Sequence, residues 1–81
     1  MEEKKRIKLI WDFRGEAAQK TATHHEIHLN EFIDREGIKE TEAGSSLVSS
    51  MHSIAFLITP ESNMIMLRDA LRPNRGEIYE S

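Results

Sequence analysis

Between Glu16 and Glu36 the sequence EAAQKTATHHEIHLNEFIDRE repeats its apolar residues at a helical interval, and this stretch limits the folds open to so short a chain. At about 100° per residue, Ala18, Ala22, His25, Leu29, Phe32 and Ile33 form one stripe, the buried face of a helix lying on another layer. Glu16 and Arg35 suit the two ends of the helix dipole, and Glu16/Lys20 and Glu31/Arg35 are acid-before-base pairs one turn apart. Gly37 then ends the helix, because glycine takes positive φ without strain. At about 1.5 Å per residue such a helix is roughly 30 Å long, the width of a small domain. The 81 residues therefore form a single domain, 1–81, with one helix across it.

The rest of the chain reads as strands and one further helix. From Arg6 to Phe13, Ile7, Leu9, Trp11 and Phe13 share one face while Lys8, Ile10 and Asp12 share the other, which predicts a strand. Lys4, Lys5, Arg6 and Lys8 at its start read as charge that blunts a strand end. Ile38 to Glu42 predicts a short polar strand, with Ala43-Gly44-Ser45-Ser46 as the turn or bulge before Leu47 and Val48. His52 to Thr59 alternates Ile54, Phe56 and Ile58 against Ser53, Ala55 and Leu57, and apolar residues on both faces predict an interior strand. Thr59-Pro60-Glu61 has the form of a helix start, with Thr59 as N-cap and Met64, Leu67 and Leu71 on the buried stripe that follows. Pro73-Asn74 stops that helix, and Gly76 to Glu80 closes the chain as an edge strand.

The order strand, helix, strand, strand, helix, strand is that of the α+β class. It predicts a ferredoxin-like βαββαβ plait, a four-stranded antiparallel sheet with two helices on one face. The other face would be bare, showing Ile10, Ala55 and Leu57, and would suit a second copy. A chain of this size buries only about 60–65% of its unfolded surface and gains from association, so a homodimer is expected.

A resemblance accompanies the fold. His28-Leu29, then Glu36-Gly37, then Ala43-Gly44-Ser45 resembles the pattern of YciI-like proteins, where "HL" on the first helix precedes a glycine and an AGP-type turn. The resemblance implies a dimeric α/β-barrel of the ferredoxin-like class. It also implies an active pair of a first-helix histidine and an aspartate in a DP dipeptide after the second helix. Here Arg72-Pro73 stands at the DP position, and Asp69 is the nearest acid, one turn earlier.

Composition removes several functions. With no cysteine there is no disulfide, thiolate metal site or cysteine nucleophile. A net charge of −3 argues against nucleic acid as a partner, because phosphate neutralisation needs a basic footprint. His52 to Thr59 offers only Phe56 where an RNA-recognition strand carries two stacking aromatics. No apolar run reaches the roughly 18 residues that cross a bilayer, and MEEKK lacks a signal-peptide core, so a cytoplasmic protein without a membrane partner is expected.

The chemistry lies with histidines. His24, His28 and Glu31 stand at i, i+4 and i+7 on one flank of the long helix, a spacing that can present two imidazoles and a carboxylate to a divalent transition metal. Solvated surface histidines are the commoner outcome of such spacing. His25 points at the sheet, where a neutral histidine hydrogen-bonded to backbone or hydroxyl competes with a catalytic role. For catalysis the residues to follow are His25, His28 and Asp12, with Asp12 orienting His28 or His52; its alternative is an Asx turn or helix cap. Arg68, Arg72 and Arg75 can clamp an anion or complement a helix end. The leading expectation is a non-enzymatic, dimeric module binding a small ligand, a metal or a protein. A small YciI-like dimeric enzyme using a first-helix histidine with a nearby acid is the other.

Overall fold

β1 (Arg6–Arg14) alternates apolar residues on one side with charged residues and Ile10 on the other, and in the computed structural model, which describes residues 5–79, it lies at the centre of the sheet. It is followed by α1 (Ala18–Glu36), β2 (Glu42–Ser49), β3 (His52–Pro60), a 3-10 turn (Glu61–Asn63), α2 (Met64–Leu71) and β4 (Arg75–Tyr79). Lys4 and Glu80, assigned above to the first and last strands, lie outside the described residues. The four strands form one antiparallel sheet in the order β2-β3-β1-β4, which is the ferredoxin-like plait. Ile7, Leu9, Trp11, Ala55 and Leu57 of the sheet meet Leu29 and Ile33 of α1 and Leu67 of α2 in one core, so both helices cover the same face. α2 has only eight residues, too few to hold a helix in water alone. Leu67, with no exposed surface, and the partly buried Met64 and Leu71 dock it.

Pairing sets which residues occupy the other face. Leu9 opposes Leu57 and Trp11 opposes Ala55, so Ala55 and Leu57 lie under the helices, and the expectation that they show on the bare face is corrected. The helix-free face instead carries Ile10 opposite Phe56, Asp12 opposite Ile54 and Lys8 opposite Ile58. Ile10, Ile54 and Ile58 are buried there although no second layer covers them. Their roof is made of neighbouring side chains: the Lys8 ammonium sits 4.5 Å above the centre of the Phe56 ring, and that ring lies across Gly44 of β2.

Several local expectations change. α1 begins at Ala18 rather than Glu16, because Gly15 at φ 107° reverses the chain and its carbonyl accepts from the Ala18 N–H. Glu16 is therefore outside the helix and adds nothing to its first turn. Ala43-Gly44-Ser45-Ser46 is strand rather than turn, and the hairpin reverses at Ser50 and Met51. Gly44 is there to admit a ring: a Cβ at that position would stand 2.6 Å from the tip of Phe56. Ile38 to Thr41 is a connection, with Ile38 packed on the core and Glu40 at φ 58°. Thr59 is not a helix cap. It is a buried β3 residue whose hydroxyl meets Thr41 at 2.8 Å and accepts from Asn63, and Pro60 completes the strand. α2 stops at Arg72, which takes the left-handed conformation just before Pro73.

Candidate functional site

Two polar clusters stand out, one on the helix-free face of the sheet and one on the outer flank of α1. The first joins three neighbouring strands. Asp12 of β1 accepts from His52 of β3 at 2.7 Å through Oδ1, and from Arg75 of β4 through Oδ2 (Nε, 2.9 Å) and Oδ1 (Nη2, 3.2 Å). Arg75 also reaches Glu77 at 3.3 Å. Asn74 prolongs the β1–β4 contact: its N–H donates to the Ile10 carbonyl and its side-chain oxygen accepts from the Asp12 N–H at 2.8 Å. The Asp12 and His52 side chains are only 17% and 15% exposed. The Arg75 guanidinium holds the Asp12 carboxyl well below the usual range, from 3.8 to about 2, helped by His52 and opposed by burial. An ionised carboxylate only accepts, so the hydrogen lies on His52 Nε2 and Nδ1 is left for another group. Such a pair can orient an imidazole for acid–base work, although Arg75 on both carboxylate oxygens already compensates the charge that would support an imidazolium.

The second cluster lies within one helix. His24 Nε2 and His28 Nε2 stand 2.9 Å apart with their rings edge to face, and Glu31 Oε1 is 3.4 Å from His28 Nδ1. Glu31 thus faces the ring nitrogen remote from His24. Among the described residues no three histidine, cysteine or acidic side chains converge on a metal-sized point.

The three residues followed for catalysis do not meet. Asp12 is on the helix-free face, whereas His25 packs under α1 against Trp11 and Phe13, with ring centres 5.0 and 5.6 Å apart. His28 lies on the exposed flank of α1. Burial, then the neighbouring His28 and His24, lower the His25 pKa, so it is neutral near pH 7. Its buried Nε2 has no hydrogen-bond partner among the described residues, nor does the buried hydroxyl of Ser53. Asp12 itself is neither an Asx turn nor a cap but an interior strand residue.

Of the three arginines, Arg68 and Arg75 line one surface depression of about 380 Å³ beside Pro73 and Gly76, Arg68 pairing with Asp69 and Arg75 engaged by Asp12, while Arg72 does not line it. Ser45 donates to Glu26 of α1 at 2.7 Å, a tie between β2 and the helix. A surface depression of about 790 Å³ lies at the opposite end from His52, between Lys5, Ile38, Lys39, Pro60 and Met66. Neither Asp12 nor any histidine lines it. Asn74 is the site residue that the sequence does not point to, and Arg75, a candidate there for binding an anion, instead holds Asp12. Alternation puts Asp12 opposite in facing to Trp11, but only the β1–β4 register brings Arg75 to it. No helix of the described residues is long and apolar enough to cross a membrane.

Compared with known proteins, the chain matches no family model, no curated protein and no solved structure. The likeness to YciI-like proteins rests on the residues quoted for it.

Proposed function

We propose that the chain is a non-enzymatic binding module that works as a homodimer, two copies meeting through the helix-free face of the sheet. The observation that carries this reading is the pairing of charge on that face. Phe56 and the Lys8 stem form its centre as a roof over the buried Ile10, Ile54 and Ile58, and the buried end of its border is Asp12 with both oxygens occupied by His52 and Arg75. A face whose carboxylate is already compensated can be buried against a twin without stranding that carboxylate, and Lys8, whose ammonium lies over the Phe56 ring, can carry its charge to the rim on its flexible stem. The small size of the chain favours the same outcome. Light scattering at micromolar concentration is expected to give twice the 9.4 kDa chain mass. Ser46→Arg, at an exposed β2 position opposite Ile54, and Phe56→Arg are expected to return the monomer mass. A wild-type monomer ends the proposal, as does a Ser46→Arg dimer as stable as wild type.

An acid–base enzyme is the second reading, favoured by the 2.7 Å contact of His52 with Asp12. It places the working imidazole on β3 rather than on α1. Any turnover that vanishes in His52→Asn and survives in His28→Ala supports it, and the reverse pattern supports the α1 histidine.

A further inference from the structure

The flank of α1 opposite the sheet holds two imidazoles that the dimer reading does not use. Both side chains project from exposed positions one turn apart, and their Nε2 atoms face each other at 2.9 Å. Two nitrogens so close cannot both carry hydrogen along the line between them; one donates and one accepts. The Glu31 carboxylate, 3.4 Å from His28 Nδ1 though outside hydrogen-bond geometry, favours the hydrogen on that atom by its charge, the tautomer that leaves the lone pair of His28 on Nε2. The electrons that accept the His24 N–H are the electrons that would bind an ion.

The spacing also selects an ion. With metal–nitrogen bonds of about 2.0 Å, two neighbouring ligands of a square-planar or tetragonal ion stand about 2.8–2.9 Å apart, and those of a tetrahedral ion about 3.3 Å. The observed 2.9 Å matches the tetragonal separation, and binding needs each ring to turn so that its Nε2 lone pair points at the ion rather than at its neighbour. We propose that His24 and His28 form a chelating site for a divalent transition metal ion of tetragonal preference, Cu²⁺ ahead of Ni²⁺ and Zn²⁺, with Glu31 as the positioning residue. Water fills the other coordination positions. When the ion binds, the His24 hydrogen moves from Nε2 to Nδ1 and frees the Nε2 lone pair for the ion. The site is independent of the dimer interface, and its failure leaves that reading standing.

The test titrates the full chain with each metal salt alone and follows Cu²⁺ by paramagnetic resonance. One ion per chain with two equivalent nitrogen couplings is expected, with affinity falling from Cu²⁺ to Ni²⁺ and Zn²⁺. Double substitution His24→Ala, His28→Ala is expected to remove the two-nitrogen signal while circular dichroism stays unchanged. Glu31→Gln is expected to weaken binding about tenfold, and nitrogen shifts of metal-free His28 should show its hydrogen moving from Nδ1 towards Nε2. The two-nitrogen signal persisting in the double variant, or no saturable binding by the wild type, overturns the site. Equal affinity and an unchanged His28 tautomer in Glu31→Gln overturn the role given to Glu31.

Discussion

The two polar clusters use the same residue types in opposite ways. On the sheet, Asp12, His52 and Arg75 come from three strands, are separated by 40 and 63 positions in sequence, and close on one another. On α1, His24, His28 and Glu31 lie within two turns and stay open to solvent. The first cluster holds strands together because the tertiary fold assembles it; the second comes with the helix and adds little to the fold. A saturated, half-buried ion cluster is spent on structure, whereas an exposed pair of imidazoles keeps its chemistry for something else.

The largest expected effect breaks the first cluster. Asp12→Ala leaves His52 and Arg75 facing an empty position, and we expect a loss of about 2–3 kcal/mol, somewhat below a fully buried case because Arg75 is half exposed. Urea unfolding followed by tryptophan fluorescence measures it, since Trp11 reports the core from the next residue.

Acid tests the same residue without mutation. The Asp12 pKa in the folded chain is about 2, below its ordinary 3.8, so its contribution is complete above 3.8 and fades as pH falls from there through about 2. The loss over that window is about 2 kcal/mol, from the shift at about 1.4 kcal/mol per unit. Asp12→Asn should flatten this part of the stability curve, and an unchanged acid limb would separate Asp12 from acid stability.

A smaller effect is expected from Gly44→Ala. The new methyl would stand 2.6 Å from the tip of the Phe56 ring, so the ring must swing off Gly44, at a cost of about 1–2 kcal/mol. Its thermal midpoint measures the cost, and the ring-current shifts of β2 protons report whether the ring has moved. The smallest effect sharpens the contrast: His24→Ala with His28→Ala should change stability by no more than about 0.5 kcal/mol in the same urea experiment. A loss as large as that of Asp12→Ala would show that the helix cluster is structural too.

What was legible in the sequence divides along the same line. The α1 stripe, the β3 alternation and the His24/His28 spacing are properties of neighbouring residues, and the structure keeps all three geometries. The plait and the central place of β3 follow from element order and from apolar residues on both faces. The Asp12–Arg75 contact depends on a register between strands at opposite ends of the chain, which no local pattern encodes. Ala43-Gly44-Ser45-Ser46 has the composition of a turn and becomes strand because the Phe56 ring needs a residue without a side chain opposite it. Thr59-Pro60-Glu61 has the form of a helix cap, but the Thr59 hydroxyl is taken by Thr41 and Asn63.

The claim that two copies meet on the helix-free face is tested most directly by isotope-filtered NMR on a mixture of labelled and unlabelled chains. Nuclear Overhauser contacts between chains are expected from Phe56, Lys8 and Ser46. Contacts confined to the exposed Leu47, Val48 and Met51 at the hairpin, or to none of the protein, would contradict it.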